Sequence, residues 1–250
     1  MYFSIFNAAL NLTDIKESFI KTFVTEERWK QLVDGLGVTI EITFFAALMG
    51  MVLGFIIASV RSTYDKLLLG KKCRSLGDVI LKIFNFICNV YITVIRGTPI
   101  VIQLMIMYFI IFGSSRNGIL AAIIAFGLNS GAYVAEIVRS GIMSIDKGQF
   151  EAGRSLGFNY IQTMVHIVLP QAFKNILPAL GNEFIVLVKE TSVAGYVALK
   201  DLTYVANLIR SRTYEAFFPL ITVAVIYLVI VMILTFFLKK LERRLRNSEH

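Results

Sequence analysis

The feature that most constrains this chain is a set of long apolar runs without charge. Ile42–Val60, Gly97–Ser115, Asn117–Ala135 and Ala216–Leu238 contain no Asp, Glu, Lys or Arg. A helix needs about 20 mostly apolar residues to cross the hydrocarbon of a bilayer, and each run is close to that length. A hydrophobic content of 56% and a mean hydropathy of +0.71 agree with a membrane class. A fifth stretch, Ala172–Glu190, is long enough but is interrupted by Pro178 and carries Glu183.

The charges orient these runs. Residues 61–82 carry six Lys/Arg, residues 139–174 carry four, and the tail 239–250 carries five. Residues 1–41 carry four basic and six acidic groups, and residues 190–215 carry three of each. Basic loops remain on the cytoplasmic side, and only an odd number of crossings places all three basic segments there. The expected fold is therefore an all-α polytopic membrane protein with five transmembrane helices, N-terminus outside and C-terminus cytoplasmic. The net charge of +8 is accounted for by this orientation and does not imply nucleic acid. Cys73 and Cys88 have neither a CxxC spacing nor a histidine nearby, so neither a disulfide framework nor a zinc site is expected.

Three domains follow. Residues 1–34 form an external arm. Its apolar Ile15, Phe19 and Phe23 fall at helical spacing among charges, as in an interfacial amphipathic helix, and Trp29 suits head-group depth. The start of the arm lacks the basic region of a signal peptide. Residues 35–239 form the transmembrane domain, and 240–250 a basic cytoplasmic tail. Within the domain, residues 79–95 are expected to enter the membrane obliquely from inside, and Arg96-Gly97-Thr98-Pro99 to break or kink that helix.

One polar segment, 144–170, lies between the third and fourth spans. Asp146 with Gln149, and Asn159 with Gln162, have the spacing of helix-capping boxes. Gly157 follows Leu156 as a helix-terminating residue would, and Pro170 ends or kinks the second helix. The segment reads as two short helices joined at Gly157, and from the residues alone it could be a hairpin lying on lipid.

Glu151, Ala152, Gly157, Ile167, Leu169 and Pro170 resemble the cytoplasmic EAA signature of ABC importer permeases, E-A-A-x3-G-x9-I-x-L-P. Gly153 replaces the second Ala, a small-for-small difference expected to be tolerated. Tyr91–Leu104, Asn129–Ile142 and Leu177–Val193 extend the resemblance to the polar amino acid branch of the type I importers. It covers about Gly35 to Arg246. It implies a coupling helix that docks on a separate ATPase through Glu151, Ala152, Gly153, Arg154 and Gly157, with Glu151 facing a basic group. It further implies two ATP-binding subunits, a second permease chain (identical or not), an external solute-binding protein, and a location in the cell (inner/cytoplasmic) membrane. The chain has no GxxxxGK[ST]. No cofactor is expected in it, ATP and Mg belong to the partner, and the chain is not expected to be an enzyme.

Ionisable groups at membrane depth usually face the protein interior or water. Asn129, Tyr133 and Glu136 share one helix face, and Glu183, Leu187 and Glu190 another. Together with Gln103, the residues Asn129, Tyr133, Glu136 and Glu183 are candidates for a substrate pathway, since a zwitterion needs both donors and an acceptor. Each has a structural alternative. Glu136 could pair with Arg139, Glu183 with a backbone group or a lysine at a dimer contact, and Gln103 and Thr98 could bond between helices. Arg96 reads as a cytoplasmic-side anchor, and Lys189 and Glu190 as structural or gating groups. Gly50 and Gly54 form a GxxxG, a weak signal on its own. No metal-ligand spacing is present. Two other functions fit the residues: an ion-coupled transporter using Glu136 or Glu183, and a scaffold that only recruits a soluble protein.

Overall fold

The computed structural model describes residues 12–114 and 117–247. The first 11 residues of the expected arm, and 248–250 of the expected tail, lie outside the described residues. Every regular element among the described residues is helical. In chain order these are α1 (Leu12–Phe19), α2 (Arg28–Leu67), α3 (Leu76–Arg96), α4 (Ile100–Ile106), α5 (Gly118–Met143), α6 (Lys147–Ser155), α7 (Tyr160–Thr163), α8 (Leu169–Glu190), α9 (Leu202–Thr213) and α10 (Phe217–Asn247). Wider π-type turns extend α1 (Ile20–Val24), α4 (Met107–Ile111) and α7 (Met164–Val168), and a 3₁₀ segment, Thr191–Val197, follows α8.

The central α2 is 40 residues long and contains no proline, so nothing interrupts its hydrogen-bond ladder. Glu26 and Glu27 turn the chain into it with left-handed backbones, φ 56° and 51°. The buried Arg28 closes that turn by donating to the Lys21 carbonyl at 2.5 Å and to Glu26 at 3.1 Å. Further on, α3 starts with a capping box absent from the sequence reading. Ser75 Oγ accepts from the Asp78 amide at 3.2 Å, and Asp78 Oδ2 accepts from the Ser75 amide at 3.0 Å.

Among the described residues, four helices are long and apolar enough to cross a membrane: the arm continued through α2, then α3, α5 and α10. This departs from the expected spans in one respect. Residues 76–96 form an unbroken helix of span length, whereas the run 97–115 yields an apolar helix of only 12 residues, Ile100–Ile111. At 1.5 Å per residue that is about 18 Å, well short of a bilayer. The cause is Pro99, which has no amide to continue the helix from α3. By contrast, Pro178 does not interrupt the fifth stretch: α8 runs through it for 22 residues, about 33 Å.

The α2–α5 seam is built on small residues. A Cβ on Gly54 would collide with the Val134 side chain, one on Gly50 would lie 2.9 Å from Ser130, and one on Gly131 would lie 3.0 Å from Leu53. The GxxxG that seemed weak thus lets two backbones approach closely. Tyr91 donates to the Leu128 carbonyl and ties α3 to α5. Ile42, Leu104, Phe126 and Leu187 fill one core, bringing together α2, α4, α5 and α8. A second core, with Ala58, Val138, Val168 and Ile176, holds the 144–170 segment against the ends of α2, α5 and α8. A third joins Phe23 of the arm and Leu32 of α2 to α9 and α10 through Leu202, Val205 and Val223.

Candidate functional site

Two regions concentrate polar side chains: the 144–170 hairpin and a pair of hollows around Arg96.

The hairpin is closed at both ends of its turn. Asp146 Oδ1 accepts from the Gly148 amide at 2.7 Å. The expected reciprocal bond from Gln149 does not form, because Gln149 Oε1 accepts from Gln171 at 3.2 Å instead. Asn159 and Gln162 do form the full capping box, with both bonds at 2.9 Å. Between them, Gly157 has φ 83°. Its amide donates to the Arg154 carbonyl at 2.9 Å, and the Phe158 amide to the Gly153 carbonyl at 3.0 Å. These two bonds are the Schellman helix stop, which requires a left-handed residue. Gly153 is buried, and a Cβ there would lie 2.7 Å from the Thr163 methyl. Its departure from the EAA pattern is therefore matched by a β-branched neighbour.

The same turn leaves Glu151, Ala152, Arg154 and Gly157 exposed. Leu156 and Ile161, 72% and 71% exposed, stand beside them. Burial raises the Tyr160 hydroxyl pKa behind this surface. Phe150 faces inward, where Lys66 Nζ sits 3.9 Å from its ring centre. A hollow of about 340 Å³ separates the hairpin from the end of α2, lined by Asp65, Lys66, Glu151 and Arg154 among others.

The second region is held by ion pairs. Glu136 on α5 bonds to Arg61 on α2, to Arg139 at 3.3 Å, and lies 3.9 Å from Arg96. Arg139 also pairs with Asp65 at 3.0 Å. The pairing alternative for Glu136 is thus what the geometry shows: its carboxylate is the shared partner of three arginines. Arg96 is the least engaged of these. It packs over the Tyr133 ring at 5.1 Å, and the two line both hollows. The larger, about 540 Å³, adds Glu136, Ser140, Ser144 and Asn175. The smaller, about 370 Å³, adds Thr98, Asn129 and Glu190.

Gln103 and Asn129 meet beside the smaller hollow, where Asn129 Nδ2 donates to Gln103 Oε1 at 3.0 Å. Gln103 Nε2 donates to the carbonyl of Ile95 at 2.7 Å and to both oxygens of Thr98. Glu183 is apart, accepting from Ser130 Oγ at 3.3 Å, and lines neither hollow. Of the residues singled out from the sequence, Tyr133 and Glu136 line the larger hollow, Asn129 and Tyr133 line the smaller one, and Gln103 is held beside it by Asn129. Arg96 lines both hollows and Glu190 the smaller one, a placement not expected from the sequence alone. The signal for Arg96 was its place at a helix break, where the chain turns beside Tyr133 of α5.

These features define a class, the membrane component of a transport system. The family described as binding-protein-dependent transport system inner membrane component matches residues 79–247. The chain belongs to that family, and it is the permease subunit of an ABC importer. It is 39% identical over 222 residues to the arginine transport system permease protein ArtQ of Bacillus subtilis, covering 87% of this chain and 94% of that one. It is 35% identical over 225 residues to the L-cystine transport system permease protein TcyB of the same organism, covering 89% of each. Among solved structures, an amino acid ABC transporter with histidines is similar at 38% identity and TM-score 0.76, covering 89% of this chain and 98% of that one. Membership in this family sets aside the ion-coupled and scaffold readings.

Proposed function

We propose that this permease carries a polar amino acid across the cell (inner/cytoplasmic) membrane as a multi-pass subunit. The observation that carries the reading is the pair of hollows that share Arg96. Its guanidinium offers paired donors for a carboxylate, and Glu190 and the Asn129 side chain supply acceptors for an ammonium in the smaller hollow. The relatives named for arginine and L-cystine transport support the substrate class. Glu136 serves chiefly to hold the arginines in place, and Glu183 of α8 meets α5 through Ser130, one residue along from Asn129.

Five crossings fit these helices if α3 and α4 form one broken crossing beside α2, α5, α8 and α10. This ordering puts the Lys/Arg-rich ends of α2, α5 and α10 on one side, the cytoplasmic one. The arm then lies at the outer interface, where Trp29 and Phe19 are exposed. The hairpin faces the cytoplasm and docks on an ATP-binding subunit through Glu151, Ala152, Arg154 and Leu156, while Gly153 and Gly157 set its shape. ATP and Mg are bound by that subunit. Two ATP-binding subunits, a second permease chain and an external solute-binding protein complete the assembly. Closure of the ATPases on ATP would shift the hairpins and turn the hollows from one face to the other.

The test is reconstitution with the cognate ATPase and binding protein in liposomes. ATP turnover should rise with one amino acid of a panel, and Glu151→Lys should abolish that rise without loss of the folded permease. A Glu151→Lys permease that transports normally would overturn the docking assignment. Turnover that responds to no amino acid would overturn the substrate class.

A further inference from the structure

We infer that the inner end of α10 is a binding site for the head group of an anionic phospholipid. Lys239, Lys240, Arg243 and Arg244 stand at i, i+1, i+4 and i+5. At 100° per residue they cover an arc of roughly 140° on one side of the helix. Phe236 falls in the middle of the same arc, one turn nearer the apolar part of α10. Leu238 points the opposite way: it is buried against Gly181 of α8, where a Cβ would collide with it. Packing against α8 thus fixes the rotation of α10 and aims the four cations outward together.

They do more than point in one direction. The four cations and Phe236 line a single hollow of about 390 Å³. All four are exposed, and none makes a salt bridge among the described residues. Glu242, the one acid between 239 and 245, falls outside their arc. Four like charges on adjacent turns repel one another, and a bound anion relieves that repulsion.

The occupant follows from what lies next to the hollow. The apolar window of α10 is only 6% buried within the chain, and Met232, Ile233, Phe236 and Phe237 are exposed along it. This is a surface for acyl chains, and it runs without interruption into the basic hollow. An amphiphile with apolar tails and a negative head matches both parts in one molecule. Phe236 would contact the upper chains, and the guanidinium groups of Arg243 and Arg244 would take phosphate oxygens in pairs. The proposed orientation adds only that the lipid sits in the cytoplasmic leaflet.

The experiment is native mass spectrometry of the whole transporter, extracted from vesicles of equal phosphatidylglycerol and phosphatidylcholine. The wild-type complex should retain phosphatidylglycerol over phosphatidylcholine. The combined substitution Lys239→Gln, Lys240→Gln, Arg243→Gln and Arg244→Gln should lower that preference by more than about tenfold, with the ATPase still co-purifying. Should that variant fail to insert, Arg243→Gln with Arg244→Gln should give a smaller loss of the same sign. Unchanged lipid selectivity in an assembled variant would overturn the proposal. So would loss of the ATPase from the complex, which would assign the cations to a protein contact, or displacement of the lipid by inorganic phosphate alone, which would assign them to a free anion.

Discussion

The side-chain nitrogen of Gln103 donates to the carbonyl oxygen of Ile95 at 2.7 Å. In an uninterrupted helix that carbonyl would receive the amide four residues on, and that residue is Pro99, which has none. Gln103 therefore supplies the bond that the proline removes, and Asn129 holds Gln103 in place from α5. The break between α3 and α4 is a repaired one.

Gln103→Leu should destabilise the permease by about 1–3 kcal/mol, the cost of leaving a half-buried carbonyl unpaired. Gln103→Glu should do the same, since a carboxylate cannot donate. Thermal unfolding of the detergent-solubilised complex measures this. Wild-type stability in both variants would show that the break needs no repair.

The glycine seam gives a second expectation. Gly54→Leu should cost about 1–3 kcal/mol or more through overpacking against Val134. Gly37→Ala, with nothing within 4 Å of the new carbon, should be neutral or slightly stabilising. Folded yield after size-exclusion chromatography compares the two.

Glu136→Gln would remove the carboxylate shared by Arg61, Arg139 and Arg96. Three arginines left with Asp65 alone should lower stability by about 1–3 kcal/mol, less than a fully buried pair because water reaches the site. If Glu136 instead only binds substrate, folding would be intact and the KM for transport would rise.

Gly157→Ala should cost about 1–2 kcal/mol in the hairpin, from a Cβ in a left-handed backbone. Its functional effect should exceed its effect on the global melting temperature, because the Schellman turn shapes the exposed surface rather than the core. Affinity for the ATPase, measured by light interference on immobilised complex, should fall while the melting temperature changes little.

Asp201 supplies a pH expectation. It caps α9 by accepting from the Tyr204 amide at 2.9 Å and the Thr203 amide at 3.2 Å, yet burial pushes its pKa up to about 6. The folded state therefore holds this proton more tightly than the unfolded chain does. Stability from this group is greatest below about pH 4 and declines as pH rises to about 6. Asp201→Asn keeps one cap bond and removes the buried charge. It should be more stable than wild type near pH 7, by at most about 3 kcal/mol, with the difference vanishing near pH 4. A variant less stable at both pH values would show that the second cap bond outweighs the charge.

What the sequence made legible was whatever depends on local pattern. The spans within α2, α5 and α10 follow from hydropathy, and the Asn159 capping box and the Gly157 stop follow from spacing. The face shared by Asn129, Tyr133 and Glu136 follows from helical period. What escaped depends on tertiary packing. The length of α3 was hidden because Asp78 and Lys82 dilute its hydropathy, and the run beyond Pro99 was apolar enough to look like a complete crossing. Arg96 was hidden because a charge at a helix end reads as a surface anchor until the neighbouring helices are placed around it. The Asp146 box failed because Gln149 had a competing partner 22 residues away, which no local rule includes. The importance of Gly50 and Gly54 became visible only once α5 lay against them.

The 40 residues of α2 make a rod of about 60 Å, roughly twice the thickness of the hydrocarbon layer. One end carries Leu32 against α9, and the other carries Lys66 against Phe150 of the hairpin. With no proline to absorb bending, a tilt of one degree at either end displaces the other by about 1 Å. The helix is thus a lever arm: a rocking of the hairpin that Lys66 follows would be carried along the whole of α2 to its contact with α9.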